Sequence, residues 1–200
     1  MVSERLQLFK VVVVAVLLLP RTAPAQSRSI DDFFRGFASA WVRHDPFLAT
    51  FTRYFAGADQ ERLERQLTPE TVVYKRDRIR RAKQGLTELR KFDRSKMTEE
   101  QRVSADVMQW QLQMIVDEER YLDYTFPLEQ FQGANVSLIN ALVVVHPLVT
   151  ALDAENYIAA LRQLGMRMEE AMERSQQLVN KGIQPPKFIL QATIEQMKRQ

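Results

Sequence analysis

Two histidines, His44 and His146, are the residues of this chain best suited to metal binding or imidazole acid–base chemistry. A zinc site needs three or four protein ligands, and neither histidine has a second ligand at helical spacing. An H-E-x-x-H helix, which places two imidazoles on one face with a glutamate base between them, does not occur. Because Pro46 lies two residues after His44 and Pro147 directly follows His146, we predict structural residues at helix ends and identify no metal-binding residue.

Other candidate catalytic groups are equally dispersed. Asp117-Glu118-Glu119 could supply paired carboxylates for acid–base work, but adjacent helical residues diverge by about 100° and cannot converge on one atom. Ser104, Ser137 and Ser175 lack the strand–turn–helix elbow of a serine nucleophile. The chain has no cysteine, which excludes thiolate nucleophiles, thiolate metal sites and disulfides. The sequence therefore identifies no catalytic and no cofactor-binding residue.

A dense run of basic residues could bind phosphate groups. It comprises Lys75, Arg76, Arg78, Arg80, Arg81 and Lys83. On a helix these side chains point in nearly all outward directions, and no aromatic residue is interleaved with them. We therefore predict a solvated helix face with some carboxylate pairing, and we expect no nucleic-acid partner.

Residues 1–25 have the three regions of an export signal. Arg5 and Lys10 form a basic segment, Val11 to Leu19 an apolar run, and Ala23-Pro24-Ala25 a small-residue cleavage site. The apolar run is far shorter than the roughly 20 residues that span a bilayer. We predict cleavage before Gln26, a periplasmic or secreted location, and no membrane association afterwards.

Most of the small net charge belongs to that leader. The whole chain carries +3, and residues 1–25 hold three basic residues against one acidic residue, which leaves +1 for residues 26–200. A near-neutral domain gives no general argument for nucleic acid or acidic membranes as partners.

The stretch from Thr98 to Asp123 is the longest helical signal. Thr98 and Gln101 form a capping-box pattern at its start. It carries two apolar stripes at helical spacing: Val103, Val107, Trp110, Met114 and Tyr121 in one, and Met108, Leu112, Ile115 and Leu122 in the other. Two stripes favour a helix packed on two sides, and we predict that Trp110 lies in the core.

Helices are also predicted on both sides of this stretch. Ser29 begins a helix that should end near His44, because a residue before proline avoids helical geometry. Thr68-Pro69-Glu70 should begin a helix reaching about Lys91 and forming an antiparallel hairpin with the central helix. Between them, we expect four clustered aromatic residues to fill the core: Phe47, Phe51, Tyr54 and Phe55.

The C-terminal third is also predicted to be helical. The apolar run from Val136 to Val145 is predicted to be a short helix. Thr150 or Asp153 should cap one long helix whose stripe runs from Tyr157 to Val179 and stops at Gly182. Pro185-Pro186 should open a last helix with Leu190, Ile194 and Met197 on one face. We therefore predict an all-α fold, an antiparallel helical bundle with long helices over residues 26–200.

From Phe126 onward the chain resembles bacterial proteins that carry the domain of unknown function 885. The similar positions are Phe126-Pro127-Leu128, Gly133, His146-Pro147, Asp153-Ala154-Glu155 with Tyr157 and Leu161, and Gly182-Ile183 with Pro185-Pro186. The resemblance covers roughly residues 30–200, and the last seventy-odd residues are its specific part.

The resemblance implies a larger protein. Members are typically exported, largely helical and similar in fold to zinc metallopeptidases, with an H-E-x-x-H-type helix far downstream of the similar region. The chain is therefore expected to be a truncated N-terminal part, forming one wall of a substrate cleft. Zinc and a peptide-like substrate are implied only together with the missing C-terminal half. A self-sufficient helical binding or scaffold module of the periplasm is the alternative, and an H-E-x-x-H beyond Gln200 would discriminate between them.

Overall fold

The computed structural model describes residues 28–199, which form helices and connecting turns without a β-strand. The α-helices are α1 Ile30–His44, α2 Pro46–Thr52, α3 Gly57–Glu64, α4 Val72–Leu89, α5 Glu99–Asp117, α6 Ala134–Asn140, α7 Ala151–Leu161, α8 Leu164–Asn180 and α9 Lys187–Met197. Two 3-10 segments, Arg94–Lys96 and Glu118–Tyr124, and a π-helical segment, Ala141–Val145, extend them. The all-α prediction is confirmed. The predicted leader, residues 1–25, and the cleavage site before Gln26 lie outside the described residues.

Several predicted helix starts are confirmed by their hydrogen bonds. The Ser29 hydroxyl accepts from the Asp32 amide at 3.1 Å. At α5, the Thr98 hydroxyl accepts from the Gln101 amide at 3.2 Å while the Gln101 side chain accepts from the Thr98 amide at 3.0 Å. Thr150 and Asp153 form the same reciprocal box at α7. Such pairs satisfy backbone donors that the first helical turn leaves without partners.

One predicted start is wrong because a tertiary contact occupies the capping hydroxyl. The hydroxyl of Thr68 donates to Asp45 at 2.8 Å and accepts from the Phe47 amide at 3.0 Å, so it serves the α1–α2 corner. Helix α4 instead begins at Val72, where the Thr71 hydroxyl accepts from the Tyr74 amide at 3.1 Å.

The long helix predicted to end at Gly182 is two helices. The Gln163 side chain donates to the Arg65 carbonyl at 2.8 Å and accepts from the Leu67 amide at 3.2 Å. The chain turns there between α7 and α8. Gly182 does end α8 as predicted, with a φ of 74° that favours glycine.

Helices α4 and α5 form the predicted antiparallel hairpin. Leu89 packs in one cluster with Ala105, and Leu86 in another with Leu112. A 2.5 Å ion pair joins Lys83 to Glu119 beyond the end of α5. Residues earlier in α4 thus contact residues later in or beyond α5, which defines the antiparallel arrangement.

A second core lies in the C-terminal half. It contains Leu67, Ala134, Leu138, Ala141, Leu142, Ala160 and Ala171. Leu67 comes from the connection before α4, so this cluster joins the two halves of the chain.

The predicted aromatic core around α2 is wrong for three of its four residues. Phe47, Phe51 and Tyr54 are exposed, while Phe55 packs beside Val42, Ala49 and Leu63. Phe51 is 66% exposed. Helix α2 is only seven residues long, and its small residues Ala49 and Thr50 turn inward in place of the aromatic ones.

Within residues 28–199, none of the helices combines the length and the apolar composition that a membrane span requires.

Candidate binding surface

Helix α5 buries only one of its two apolar stripes. Leu112 is 4% exposed and packs against α4. The other stripe faces outward, and Trp110 is 63% exposed. The predictions of two-sided packing and of a core position for Trp110 are therefore wrong. Periodicity placed the stripes correctly, but the neighbouring helices α1 and α4 cover only one of them.

The exposed stripe forms one side of an open groove between α1 and α5, here called the α1–α5 groove. The groove has a volume of about 810 Å³. On the α1 side it is lined by the half-buried aromatic residues Phe34, Phe37 and Trp41; on the α5 side by Val103, Val107, Trp110 and Met114. Both sides are apolar at their centre.

A glycine in α4 allows α1 to pack closely there. A Cβ atom on Gly85 would lie 2.4 Å from a ring carbon of Phe37, a distance that real contacts do not tolerate. The Phe37 ring in turn stacks on Trp41 with centroids 5.6 Å apart. The aromatic side of the groove is therefore fixed from behind by packing.

Charged side chains lie at one end of the groove. The Arg78 guanidinium lies 5.3 Å from the centre of the Trp41 ring, a cation–π contact. Arg78 and Glu118 both line the groove at this end. Apolar walls with polar groups at one end suit an apolar segment of a protein or peptide, such as the apolar face of a helix.

His44 lies at the end of α1, as predicted, and is held by α4. Its Nε2 lies 2.7 Å from Asp77 Oδ2, and its ring stacks on Tyr74 with centroids 4.7 Å apart. Burial, and then the positive charge of Arg81, lower the pKa of His44. The contact with Asp77 is thus a hydrogen bond from a neutral ring at neutral pH, since Arg80 and Arg81 already balance the Asp77 charge. Burial also raises the pKa of Tyr74.

His146 is buried at the end of the π-helical segment and contacts two backbone oxygens. Its Nε2 lies 2.9 Å from the Glu64 carbonyl oxygen and its Nδ1 lies 3.0 Å from that of Pro147. The Tyr157 ring meets it edge-on, 5.4 Å between centroids. This arrangement agrees with the predicted structural role.

A buried polar network beside His146 was missed by the sequence analysis. The Glu64 carboxylate accepts from Gln60 at 2.9 Å and from Asn156 at 3.4 Å. Asn156 also accepts from Arg65 at 3.3 Å. One signal was available, since Asn156 lies four residues before the buried Ala160 and so shares its inward face.

The basic run of α4 shows the predicted carboxylate pairing. Arg81 Nε lies 2.8 Å from Asp77, and Arg80 also contacts Asp77. Lys83 is paired with Glu119, as described above. The contact of Arg78 with Trp41 was not predicted, because Trp41 is distant in sequence from the basic run.

The acidic run and the three serines do not come together as a site. Glu119 pairs with Lys83 and Asp117 accepts from Gln113 at 3.0 Å, so these two carboxylates have separate partners. Ser104 lines the α1–α5 groove, and the Ser175 hydroxyl donates to the Ala171 carbonyl within α8.

The residues that carry the family resemblance have architectural roles. A Cβ on Gly133 would lie 2.3 Å from the Glu129 backbone nitrogen, so only glycine fits this bend. Asp153 caps α7, and Pro186 precedes α9. His146 and Gly182 fix a segment end and a helix stop, as described above.

The described part of the chain does not fit a zinc ion. Between residues 28 and 199, no group of three or more histidine, aspartate and glutamate side chains is placed to hold a metal. Both histidines are engaged with Asp77 or with backbone carbonyls. That this chain contributes no catalytic, cofactor-binding or metal-binding residue stays a prediction.

Comparison with known proteins identifies a family. The model of a family described as "Bacterial protein of unknown function (DUF885)" matches residues 46–200. No curated protein and no solved structure matches the chain significantly.

Proposed function

We propose, for a chain that belongs to the bacterial DUF885 family, that these helices form one wall of the substrate cleft of an exported, zinc-metallopeptidase-like hydrolase. The wall is the α1–α5 groove together with the helices that hold it. The catalytic metal site belongs to another part of the protein, because the family resemblance places its H-E-x-x-H-type helix downstream of the similar region.

The exposed stripe of α5 is the observation that carries this proposal. Val103, Val107, Trp110 and Met114 are all about half exposed or more on one helix face. Burial of apolar surface contributes about 25 cal/mol per Å², so leaving a contiguous stripe in water forgoes several kcal/mol. Large exposed apolar patches usually mark binding surfaces. The stripe therefore supports a role in contacting another apolar surface.

Further apolar residues on the last two helices support a larger assembly. Met172 and Val179 of α8 are exposed, as are Phe188 and Ile194 of α9. These exposed apolar residues all lie near the C-terminal end of the described chain. A single-surface binding module would need only one such region.

A cleft wall must hold its shape, and the packing of this chain supports that requirement. Phe37 is fixed against Gly85, and the Glu64–Asn156 network joins α3 to α7. Side chains locked by such contacts present a surface at low conformational-entropy cost.

Fluorescence of Trp110 tests the proposal. Trp41 and Trp110 are the two tryptophans, so Trp41→Phe leaves Trp110 as the sole emitter. This variant would be prepared in two forms: the chain by itself, and the chain extended by whatever sequence its gene encodes directly downstream. We expect a blue shift of Trp110 emission, loss of hydrophobic-dye binding, stoichiometric zinc uptake and peptide cleavage only in the longer protein.

A matched pair of variants checks that the dye reports the α1–α5 groove. Trp110→Gln should reduce dye binding by the chain alone, whereas Val73→Gln, at an exposed apolar position of α4 outside the groove, should not. A monodisperse chain that binds no dye and keeps Trp110 emission unchanged in the longer protein would contradict the proposal and favour the self-sufficient module.

A further inference from the structure

A second cavity lies where the α1–α2 corner, the connection before α4 and helix α6 meet. Its volume is about 330 Å³, within the range of small-molecule pockets. It is separate from the α1–α5 groove and shares no lining residue with it. Its inner surface is apolar, with Leu67 and Leu138 buried at the base.

Two aromatic rings and two carboxylates give this cavity its chemistry. Phe47 and Phe131 line it and are exposed, Phe131 by 77%. Asp45 and Glu70 are its acidic lining residues, and no lysine or arginine is among the described residues that line it. The lining therefore combines negative charge with aromatic surface.

Asp45 has acceptor capacity that the fold does not use. Its Oδ1 accepts from the Leu48 amide at 3.2 Å and from the Thr68 hydroxyl at 2.8 Å. Among residues 28–199, both hydrogen bonds to this side chain go to Oδ1, and its Oδ2 takes part in no hydrogen bond or ion pair. A carboxylate can accept about four hydrogen bonds, so Asp45 retains capacity for a further donor.

Glu70 is also incompletely paired. Its side chain is only 18% exposed, and its cationic neighbour, Lys75, lies 3.8 Å away, beyond hydrogen-bond distance. Burial raises the pKa of Glu70. The negative charges of Glu170 and Asp45 also raise it, whereas the positive charges of Lys75 and Arg167 lower it. Partial burial of a carboxylate without a close donor disfavours its ionised form, and a bound cation would stabilise that form.

We propose that this cavity binds a primary ammonium group carried on a small apolar body. The ammonium N–H groups donate to Asp45 Oδ2 and to the Glu70 carboxylate, while the apolar body packs between Leu67, Leu138 and the two phenylalanine rings. A primary ammonium has three donors on one compact atom, which suits two carboxylates contributed by separate segments. A ring face adds attraction for a cation within about 6 Å.

A bare divalent ion suits this site less well. Ca²⁺ takes six to eight oxygen ligands and Mg²⁺ an octahedral set, whereas most of this lining is apolar. The inference is independent of the proposed function, since it concerns a different cavity and different residues.

Calorimetric titration of the full chain with 2-phenylethylamine at pH 7 tests the inference. We expect one saturable site for the amine, with at least tenfold weaker binding of 2-phenylethanol, the neutral analogue, and of 3-phenylpropionate, the anionic one. Equal affinity for the amine and the alcohol would overturn the assignment, and so would displacement of the amine by stoichiometric Ca²⁺ or Mg²⁺.

Three variants locate the binding. Glu70→Gln should weaken amine binding about tenfold or more while binding of the alcohol stays unchanged. Phe131→Ala, at a largely exposed position, should weaken it about threefold or more. Glu173→Gln, an exposed acid on α8 outside the cavity, serves as the control and should leave affinity unchanged. Unchanged amine affinity in both Glu70→Gln and Phe131→Ala would contradict the proposal.

Discussion

The imidazole Nε2 of His146 lies 2.9 Å from the backbone carbonyl oxygen of Glu64, a residue 82 positions earlier in the chain. This contact joins the end of the π-helical segment to the end of α3, and the Glu64 side chain meets Asn156 of α7 nearby. Both halves of the chain therefore share one buried polar junction. No buried side-chain nitrogen or oxygen of the described residues lacks a hydrogen-bond partner, and removing one member of such a network exposes the others to the full cost of desolvation.

Asn156→Ala tests the strength of this junction. Asn156 is 1% exposed and donates to Glu64 Oε2, so its truncation leaves that oxygen of a buried carboxylate without a donor, while Glu64 Oε1 keeps its bond from Gln60. We expect a loss of about 1–3 kcal/mol in the free energy of unfolding, measured by urea denaturation. Asn140→Ala, at an exposed position, should change stability by less than about 0.5 kcal/mol; equal effects of the two would contradict this account.

Trp110→Ala and Leu112→Ala should differ sharply although the residues are two positions apart. Leu112 is buried between α4 and α5, and such truncations cost about 2–5 kcal/mol. Trp110 is exposed, so its truncation should cost less than about 1 kcal/mol. The same denaturation measurement compares them, and a larger loss for Trp110 would mean that α5 is covered on both sides.

Gly165→Ala and Gly182→Ala should shift stability in opposite directions. Gly165 lies in the first turn of α8 with open space where the alanine methyl group would lie, so alanine should stabilise by about 0.5–1 kcal/mol. Gly182 has a φ of 74°, where a Cβ is strained, and alanine there should destabilise by about 1 kcal/mol. Thermal unfolding of both variants beside the parent protein measures the difference; a stabilised Gly182→Ala would argue against the left-handed stop.

Acid should weaken the attachment of α8 to the segment after α5. Lys181 and Arg174, at 2.7 and 2.5 Å, hold the pKa of Asp123 at about 2. Because this folded-state pKa lies below the ordinary value near 3.8, the contribution is complete above about pH 4 and disappears as the pH falls towards 2. Unfolding measured from pH 2 to 7 should show a smaller acid loss in Asp123→Asn than in the parent, and parallel curves would exclude this pair as a cause.

Export should remove residues 1–25. The apolar run from Val11 to Leu19 followed by Ala23-Pro24-Ala25 predicts a mature N-terminus at Gln26. Mass spectrometry of protein recovered from the periplasm or medium checks this, and a mass that retains residues 1–25 would contradict it.

The sequence by itself determined the local structure of this protein. The capping pair Thr98 and Gln101, the proline after Asp45 and the stop at Gly182 each act within one turn of chain, and each lies where the pattern predicted. Such signals depend on backbone donors and φ preferences that are complete within a few residues. The residues of the family resemblance could be interpreted as caps, bends and stops for the same reason.

Only the tertiary structure decided which apolar stripe is covered. Periodicity placed Leu112 and Trp110 on different faces of α5, but burial depends on which helices lie beside each face, and α1 and α4 cover only the face of Leu112. The Glu64–His146–Asn156 junction and the cavity that Asp45 and Glu70 both line likewise bring together residues from distant segments. Spacing along the chain carries no record of such contacts, because they depend on how separately specified helices pack together.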